Sequence, residues 1–262
     1  MNAAASPAAD RAEDARRRFL ARAKRPLLIG DWTRALFLHF EVPAAALQKC
    51  VPFDLDLWES RAFVSAVAFS MENLRPSFGG ALGRWLFRPI ARHDFFNVRT
   101  YVRSAEGPGI FFLKEWLNNR FCVLSGPLMY GLPYKFARIR YESNEGRREG
   151  RVGDTLAFAA DISGTAERHE CAPGSLDEFL IERYTAFTRR DRCSRCFDIW
   201  HQPWPQIPVQ AALHDDRLLR DIFPWHSKAR LIGANYSPGV RNVWMSAPRR
   251  VTQDGSAGAG VF

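Results

Sequence analysis

A chain of 262 residues with 47% hydrophobic and 13% aromatic content can bury a sizeable core within one large domain. No apolar run approaches the ~20 residues that span a bilayer, and the opening Met-Asn-Ala-Ala-Ala lacks the order of a secretory signal, so a cytoplasmic protein with no membrane span is expected. Residues 1–25 hold seven Arg or Lys against three Asp or Glu, which is +4 of the net +9, and no zinc-finger or RNA-recognition pattern accompanies the rest; a specific nucleic-acid partner is not expected.

In chain order, residues 1–25 are expected to form a flexible basic arm, at most a frayed helix with Phe19 and Leu20 as its large apolar groups. A single domain over 26–252 and a flexible tail over 253–262 follow. Segments 31–40 and 62–69 are β-rich, and the second suits a strand packed on both faces. Pro43 opens a short helix to residue 50. Residues 75–92, punctuated by Gly and Pro around Trp85-Leu86-Phe87, read as a long loop or short helix placed as a lid. Strands are predicted at 96–103, 109–116, 121–125, 136–142, 151–160 and 161–167. Ser175-x-x-Glu178 is a capping box that starts a helix over 176–184. Residues 189–199 read as two strands joined by a polar turn, and 215–221 as a second short helix. The spacing predicts a mainly β (α+β) protein, its antiparallel sheet closed into a barrel or sandwich with a few short helices.

The segment Gly126-Pro-Leu-Met-Tyr-Gly-Leu-Pro-Tyr-Lys-Phe-Ala137 resembles the Gly-Phe-Pro-Lys-Lys-Leu-Ala signature of acetoacetate decarboxylases, with Tyr134 at the first lysine and Lys135 at the second. Together with His39-Phe-Glu-Val-Pro43, Asn97-Val-Arg-Thr-Tyr-Val102, Pro203-Trp-Pro205 and Tyr236-Ser-Pro-Gly-Val240, in this order, it resembles the YqjF-like family of uncharacterised bacterial proteins within the acetoacetate decarboxylase-like superfamily. The match extends over about residues 28–251. The resemblance implies an antiparallel β-barrel with a pocket inside it, and no cofactor. In the decarboxylases the first lysine condenses with a β-keto acid, and a phenol cannot replace it. Standard acetoacetate decarboxylase activity is therefore not expected. A further departure is Phe95, where many relatives carry an acidic residue.

Strand period places Asn97, Arg99 and Tyr101 on one face. If that face lines an interior, a buried Arg99 must be paired with Glu115 or bind an anion. Lys114 and Glu115 face opposite ways, and Glu115 is assigned inward beside Phe111 and Leu113, where burial would raise its pKa unless Arg99 or Arg120 offsets it. Tyr134 either donates a hydrogen bond as an acid, its pKa depressed by Lys135 or Arg99, or fills the cavity. Glu115, Tyr134 and Lys135 are thus the candidate catalytic residues, and Asn97, Arg99, Tyr101 and Arg120 the candidate substrate-binding ones. The expected function is binding or transforming a small carboxylate or carbonyl compound, with lyase-like chemistry on a keto acid and non-catalytic ligand binding as the two readings.

Cys193-Ser-Arg-Cys196, with His201, His169 and Cys171, could assemble zinc ligands on paper; cysteines flanking a hairpin tip is the plainer reading, and no metal is assigned. His39 and His201 read as satisfied structural histidines, and His93-Asp94 as a capping or surface contact. Aromatic residues and β-edges leave a homodimer open.

Overall fold

The computed structural model describes residues 7–144, 146–163 and 167–251. The tail expected over 253–262 lies outside the described residues. In chain order the strands are β1 (Leu28–Val42), β2 (Asp54–Leu55), β3 (Ala62–Pro76), β4 (His93–Ser104), β5 (Gly107–Leu117), β6 (Tyr134–Phe136), β7 (Ile139–Asn144) and β8 (Arg147–Val152). They continue with β9 (Leu156–Asp161), β10 (Thr185–Arg190), β11 (Cys193–Trp200), β12 (Ile207–Pro208), β13 (Gln210–Asp215), β14 (Arg230–Met245) and β15 (Arg249–Arg250). The helices are α1 (Pro7–Ala23), α2 (Ala44–Gln48), α3 (Gly80–Phe87), α4 (Arg120–Tyr130), α5 (Leu176–Ile181) and α6 (Arg217–Ile222).

The larger sheet runs β12-β14-β1-β3-β4-β5-β10-β11-β15, with β2 on β4 and β6 on β5. β11 also meets β14 through Ile199–Met245 and Trp200–Trp244, which leads the ladder back to a strand it has already passed. The expected antiparallel sheet is instead mixed, because β5 pairs in parallel with both β10 and β6. A parallel neighbour requires a crossover. Residues 121–125, expected as a strand, supply it as part of α4. Asn119 caps this helix by accepting from the backbone N–H groups of Phe121 and Cys122, and Gly131, at φ 73°, ends it.

The smaller sheet, β13-β9-β8-β7, is antiparallel. The strand expected at 136–142 is broken into β6 and β7, and that at 151–160 is interrupted by a turn at Gly153 between β8 and β9. Of the strand expected at 161–167, Ile162 and Ser163 lie outside any strand and 164–166 fall outside the described residues.

Alternation sorts the long strands into two faces. Leu36, Leu38, Val64, Ala66, Phe96 and Val98 share a core with Phe158 and Tyr141 of the small sheet. Phe37, Val67, Phe69, Phe95, Ile110 and Ile199 turn to the other side, where they surround a cavity. β3 is buried on both faces over its first ten residues, as its sequence predicts.

Residues 7–23 correct the expectation of a frayed arm. Ala12, Ala15 and Phe19 recur on one face of α1 and are buried against Trp200 and Trp244, with the Phe19 and Trp244 rings 5.7 Å apart. Trp200 Nε1 donates to the Ala12 carbonyl at 2.9 Å, and Arg22 reaches Asp198 at 3.4 Å. The alanines let the helix lie close, so few large side chains suffice.

At α5 the Ser175 hydroxyl accepts from the Glu178 N–H at 3.2 Å, as a capping box requires, though the helix stops at Ile181. No helix among the described residues is long and apolar enough to cross a membrane.

Candidate functional site

The cavity has a volume of about 250 Å³ and is walled by β1, β3, β4, β5, β11 and β14, with Phe87 and Ile90 after the α3 side and Cys122, Ser125, Gly126 and Met129 of α4 at its edge. Most of its lining is aliphatic or aromatic. Polar groups gather in one sector, set by register. Asn97 on β4 faces Glu115 on β5, and Glu115 in turn faces Tyr134 on β6.

A β-bulge determines what β5 presents there. Val98 pairs with Lys114, but the next residue, Arg99, pairs with Phe112, which leaves Leu113 as an extra residue. The phase of the strand reverses across it. Ile110, Phe112 and Glu115 line the cavity, whereas Phe111, Leu113 and Trp116 pack toward the small sheet. Glu115 therefore faces inward as expected, but its expected neighbours Phe111 and Leu113 lie on the opposite face.

Arg99 is 8% exposed and Glu115 3% exposed, yet they form no ion pair with each other. Arg99 donates through Nη2 to the Leu180 carbonyl at 3.3 Å, and its guanidinium carbon lies 5.5 Å from the Phe37 ring centre. Its Nε has no hydrogen-bond partner, and neither do Glu115 Oε2, Asn97 Oδ1 and Trp32 Nε1. Four of the seven such buried side-chain atoms among the described residues thus surround one cavity. Burial holds the Glu115 carboxyl well above the ordinary range, and the Arg99 charge offsets only part of that effect. Burial also lowers Arg99, which nonetheless stays a cation.

Tyr134 enters the cavity from β6. Its ring lies against Gly126 of α4, where an added Cβ would come within 2.2 Å of the Tyr134 Cε2 atom. The expectation of a depressed phenol pKa is corrected: burial, then the neighbouring Glu115, Cys122 and Tyr130, push it well above the usual value. Lys135, the next residue, is exposed and does not line the cavity. Its charge is instead felt by Lys114, whose pKa is lowered first by burial and then by Lys135.

Two further assignments differ from the sequence reading. Tyr101 is buried beyond the cavity wall, donating to the Leu180 carbonyl at 2.8 Å and bonded to Ser65, so its hydroxyl is consumed by the fold. Arg120, expected at the turn after β5, is the exposed first residue of α4, its guanidinium 4.6 Å from the Phe136 ring centre.

Trp32, His93 and Cys122 line the cavity and escaped the sequence reading. His93 is not a surface contact but the first residue of β4, in phase with Phe95 and Asn97; extending the alternation by two residues would have found it. Its Nδ1 lies 3.9 Å from Cys122 Sγ, and burial lowers its pKa to about 4 while raising the thiol to about 12. Trp32 precedes a register shift on β1 where Arg34 adopts φ 58°, which alternation alone does not reveal.

His39 sits between Ser65 Oγ at 2.7 Å and Asn235 Oδ1 at 3.1 Å, and His201 Nδ1 bonds the Gln202 carbonyl. Cys193 and Cys196 occupy opposite faces of β11, the second fully buried in the core. Among the described residues no group of three or more His, Cys, Asp or Glu side chains could hold a metal.

Residues 30–241 match the model of DUF2071, described as an uncharacterized conserved protein. The chain belongs to the DUF2071 family. It is 31% identical over 180 residues to the uncharacterized protein YqjF of Bacillus subtilis, covering 66% of this chain and 72% of that protein. This DUF2071 chain also resembles the acetoacetate decarboxylase of Legionella pneumophila, with a TM-score of 0.58 at 14% identity over 87% of both chains. The enduracididine biosynthesis enzyme MppR, solved with pyruvate, matches at a TM-score of 0.58 and 9% identity, over 86% of this chain and 90% of that one. At such identities the likeness is one of fold: this member of DUF2071 has an acetoacetate decarboxylase-like, mainly β architecture.

Proposed function

We propose that the cavity binds a small carboxylate-bearing carbonyl compound and polarises its carbonyl group without forming a Schiff base. The observation that carries this reading is the set of unpartnered polar atoms on Asn97, Arg99, Glu115 and Trp32 around one cavity. A buried guanidinium with no carboxylate partner, beside a carboxyl whose environment favours the neutral acid, leaves the cavity one positive charge in excess. A single anion offsets it. Arg99 takes the carboxylate in this arrangement. Glu115 and Tyr134, register partners and both favoured in their protonated forms, donate to the carbonyl oxygen, and Glu115 can exchange a proton with the adjacent carbon.

No lysine is among the residues lining the cavity, so an amine nucleophile is not at hand. The fold likeness to a decarboxylase and to a pyruvate-bound enzyme supports a keto acid as the ligand class. Calorimetric titration with pyruvate and acetoacetate, run beside an Arg99→Met variant and borohydride trapping, tests the reading. Binding abolished by R99M with no trapped adduct is expected. An adduct on any lysine, or unchanged binding to R99M, refutes it. Proton NMR of the same mixtures separates turnover from binding alone.

A further inference from the structure

We infer that the occupant of this cavity is an amphiphile: one carboxylate or carbonyl head on an apolar tail of roughly four to six carbons, rather than a compact polar keto acid. The inference rests on the reading above and adds the chemistry of the part that does not react.

Register fixes where the head must lie. Asn97, Glu115 and Tyr134 are aligned across β4, β5 and β6, and Arg99 stands two residues further along β4. Moving the other way along β4, the lining changes to Phe95 and His93, whose register partners on β3 are Phe69 and Met71. From Arg99 to His93 is six residues, roughly 20 Å of strand. Beyond it the wall is completed by Leu74, Phe87 and Ile90. The titratable side chains near this path, His93, Cys122 and Tyr130, are all favoured in their neutral forms by burial. A two- or three-carbon acid would satisfy the polar sector and leave the rest of the space bare.

The volume agrees. A cavity of roughly 150 Å³ takes a six-carbon benzene ring, so about 250 Å³ holds on the order of ten non-hydrogen atoms, more than pyruvate brings and close to what α-ketooctanoate brings.

The outer surface gives a second, independent observation. Met129 lines the cavity and is also 43% exposed, so the apolar lining continues to the outside. Leu124 and Leu128 on α4, and Leu82, Trp85 and Leu86 on α3, are exposed as well. The cap of α4 is tied to the turn that follows α3, where Asn119 Nδ2 donates to the Pro89 carbonyl at 2.7 Å. Met129, apolar and open to solvent, can meet a tail that has not yet entered.

The experiment is a titration of the full chain with pyruvate, α-ketohexanoate and α-ketooctanoate, and with octanol as a tail without a head. Each added methylene that leaves water is expected to tighten binding about fourfold, giving a gain of at least a hundredfold from pyruvate to α-ketooctanoate. Leu74→Trp, three residues beyond Met71 on β3, places a ring in the distal part of the cavity and is expected to erase that gain and leave pyruvate binding in place. Equal affinity for all three keto acids overturns the amphiphile and leaves the carboxylate reading standing. Octanol binding as tightly as α-ketooctanoate, or no binding by any keto acid, overturns the carboxylate reading and this inference with it.

Discussion

Glu115 and Tyr134 are direct register partners on two parallel strands, and both side chains enter the same cavity. Glu115 adds a penalty to the ionisation of Tyr134, on top of burial, and burial alone holds Glu115 up against the Arg99 charge. Two acids kept neutral in this way are donors, which suits a ligand that brings its own negative charge.

The raised pKa of Glu115 has a signed consequence for stability. Above the ordinary carboxylate range the unfolded chain has lost this proton while the folded chain retains it, so stability falls with rising pH by up to about 1.4 kcal/mol per unit until the folded group also ionises. Glu115→Gln is expected to stabilise the protein at pH 8 relative to wild type, and by less at pH 5. Urea melts at the two pH values measure it; equal differences at both would show that Glu115 does not titrate abnormally.

Buried histidines act in the opposite direction. His39 is lowered to about 3 and His93 to about 4, so between their ordinary value near 6.5 and those values the unfolded chain binds protons that the folded chain refuses. Each contributes a loss of up to about 1.4 kcal/mol per unit as pH falls through that window. His93→Asn is expected to flatten the acid limb of the stability profile between pH 6.5 and 4.5, by about 2 kcal/mol over the interval. Chemical denaturation across this range reads the slope directly.

Gly126→Ala tests the contact between α4 and the Tyr134 ring. In a helix interior alanine is ordinarily better than glycine by about 1 kcal/mol. Here the new methyl meets the ring at 2.2 Å, so a net loss of about 1–2 kcal/mol is expected. Combining it with Tyr134→Leu should recover most of that loss. A double-mutant cycle by thermal melting detects the coupling, and additive effects would place the strain elsewhere.

The first helix carries its own prediction. Phe19→Ala removes a ring that covers Trp200 and Trp244 and is expected to cost about 3 kcal/mol, accompanied by a red shift in tryptophan emission. An unaltered spectrum and melting point would mean that the helix does not dock in solution.

What the sequence discloses is mostly what alternation and capping encode. The two-sided burial of β3, the common face of Asn97 and Arg99, the box at Ser175 and the hairpin between β10 and β11 are all local patterns. α4 was misread because Phe121-Cys-Val-Leu-Ser125 is strand-prone in composition, although Asn119 and Gly131 mark its two ends. The companions of Glu115 could not be read at all, since the register shift opposite Arg99 belongs to the ladder between strands and leaves no mark in β5 itself. Arg120 and Tyr101 differ from their expected roles for complementary reasons: one starts a helix that leaves it in solvent, and the other satisfies its hydroxyl within the fold.

The bulge at Leu113 makes a chemical choice that composition does not. β5 spells an amine and a carboxyl side by side, Lys114 then Glu115, and only one can face the cavity. Were the strand straight from Phe112 onward, the inward positions would fall on Lys114 and Trp116, and the protein would present a partly desolvated amine opposite β4 instead of an acid. One kink in the backbone thus separates two catalytic vocabularies, imine formation and proton donation, that a single stretch of letters can express.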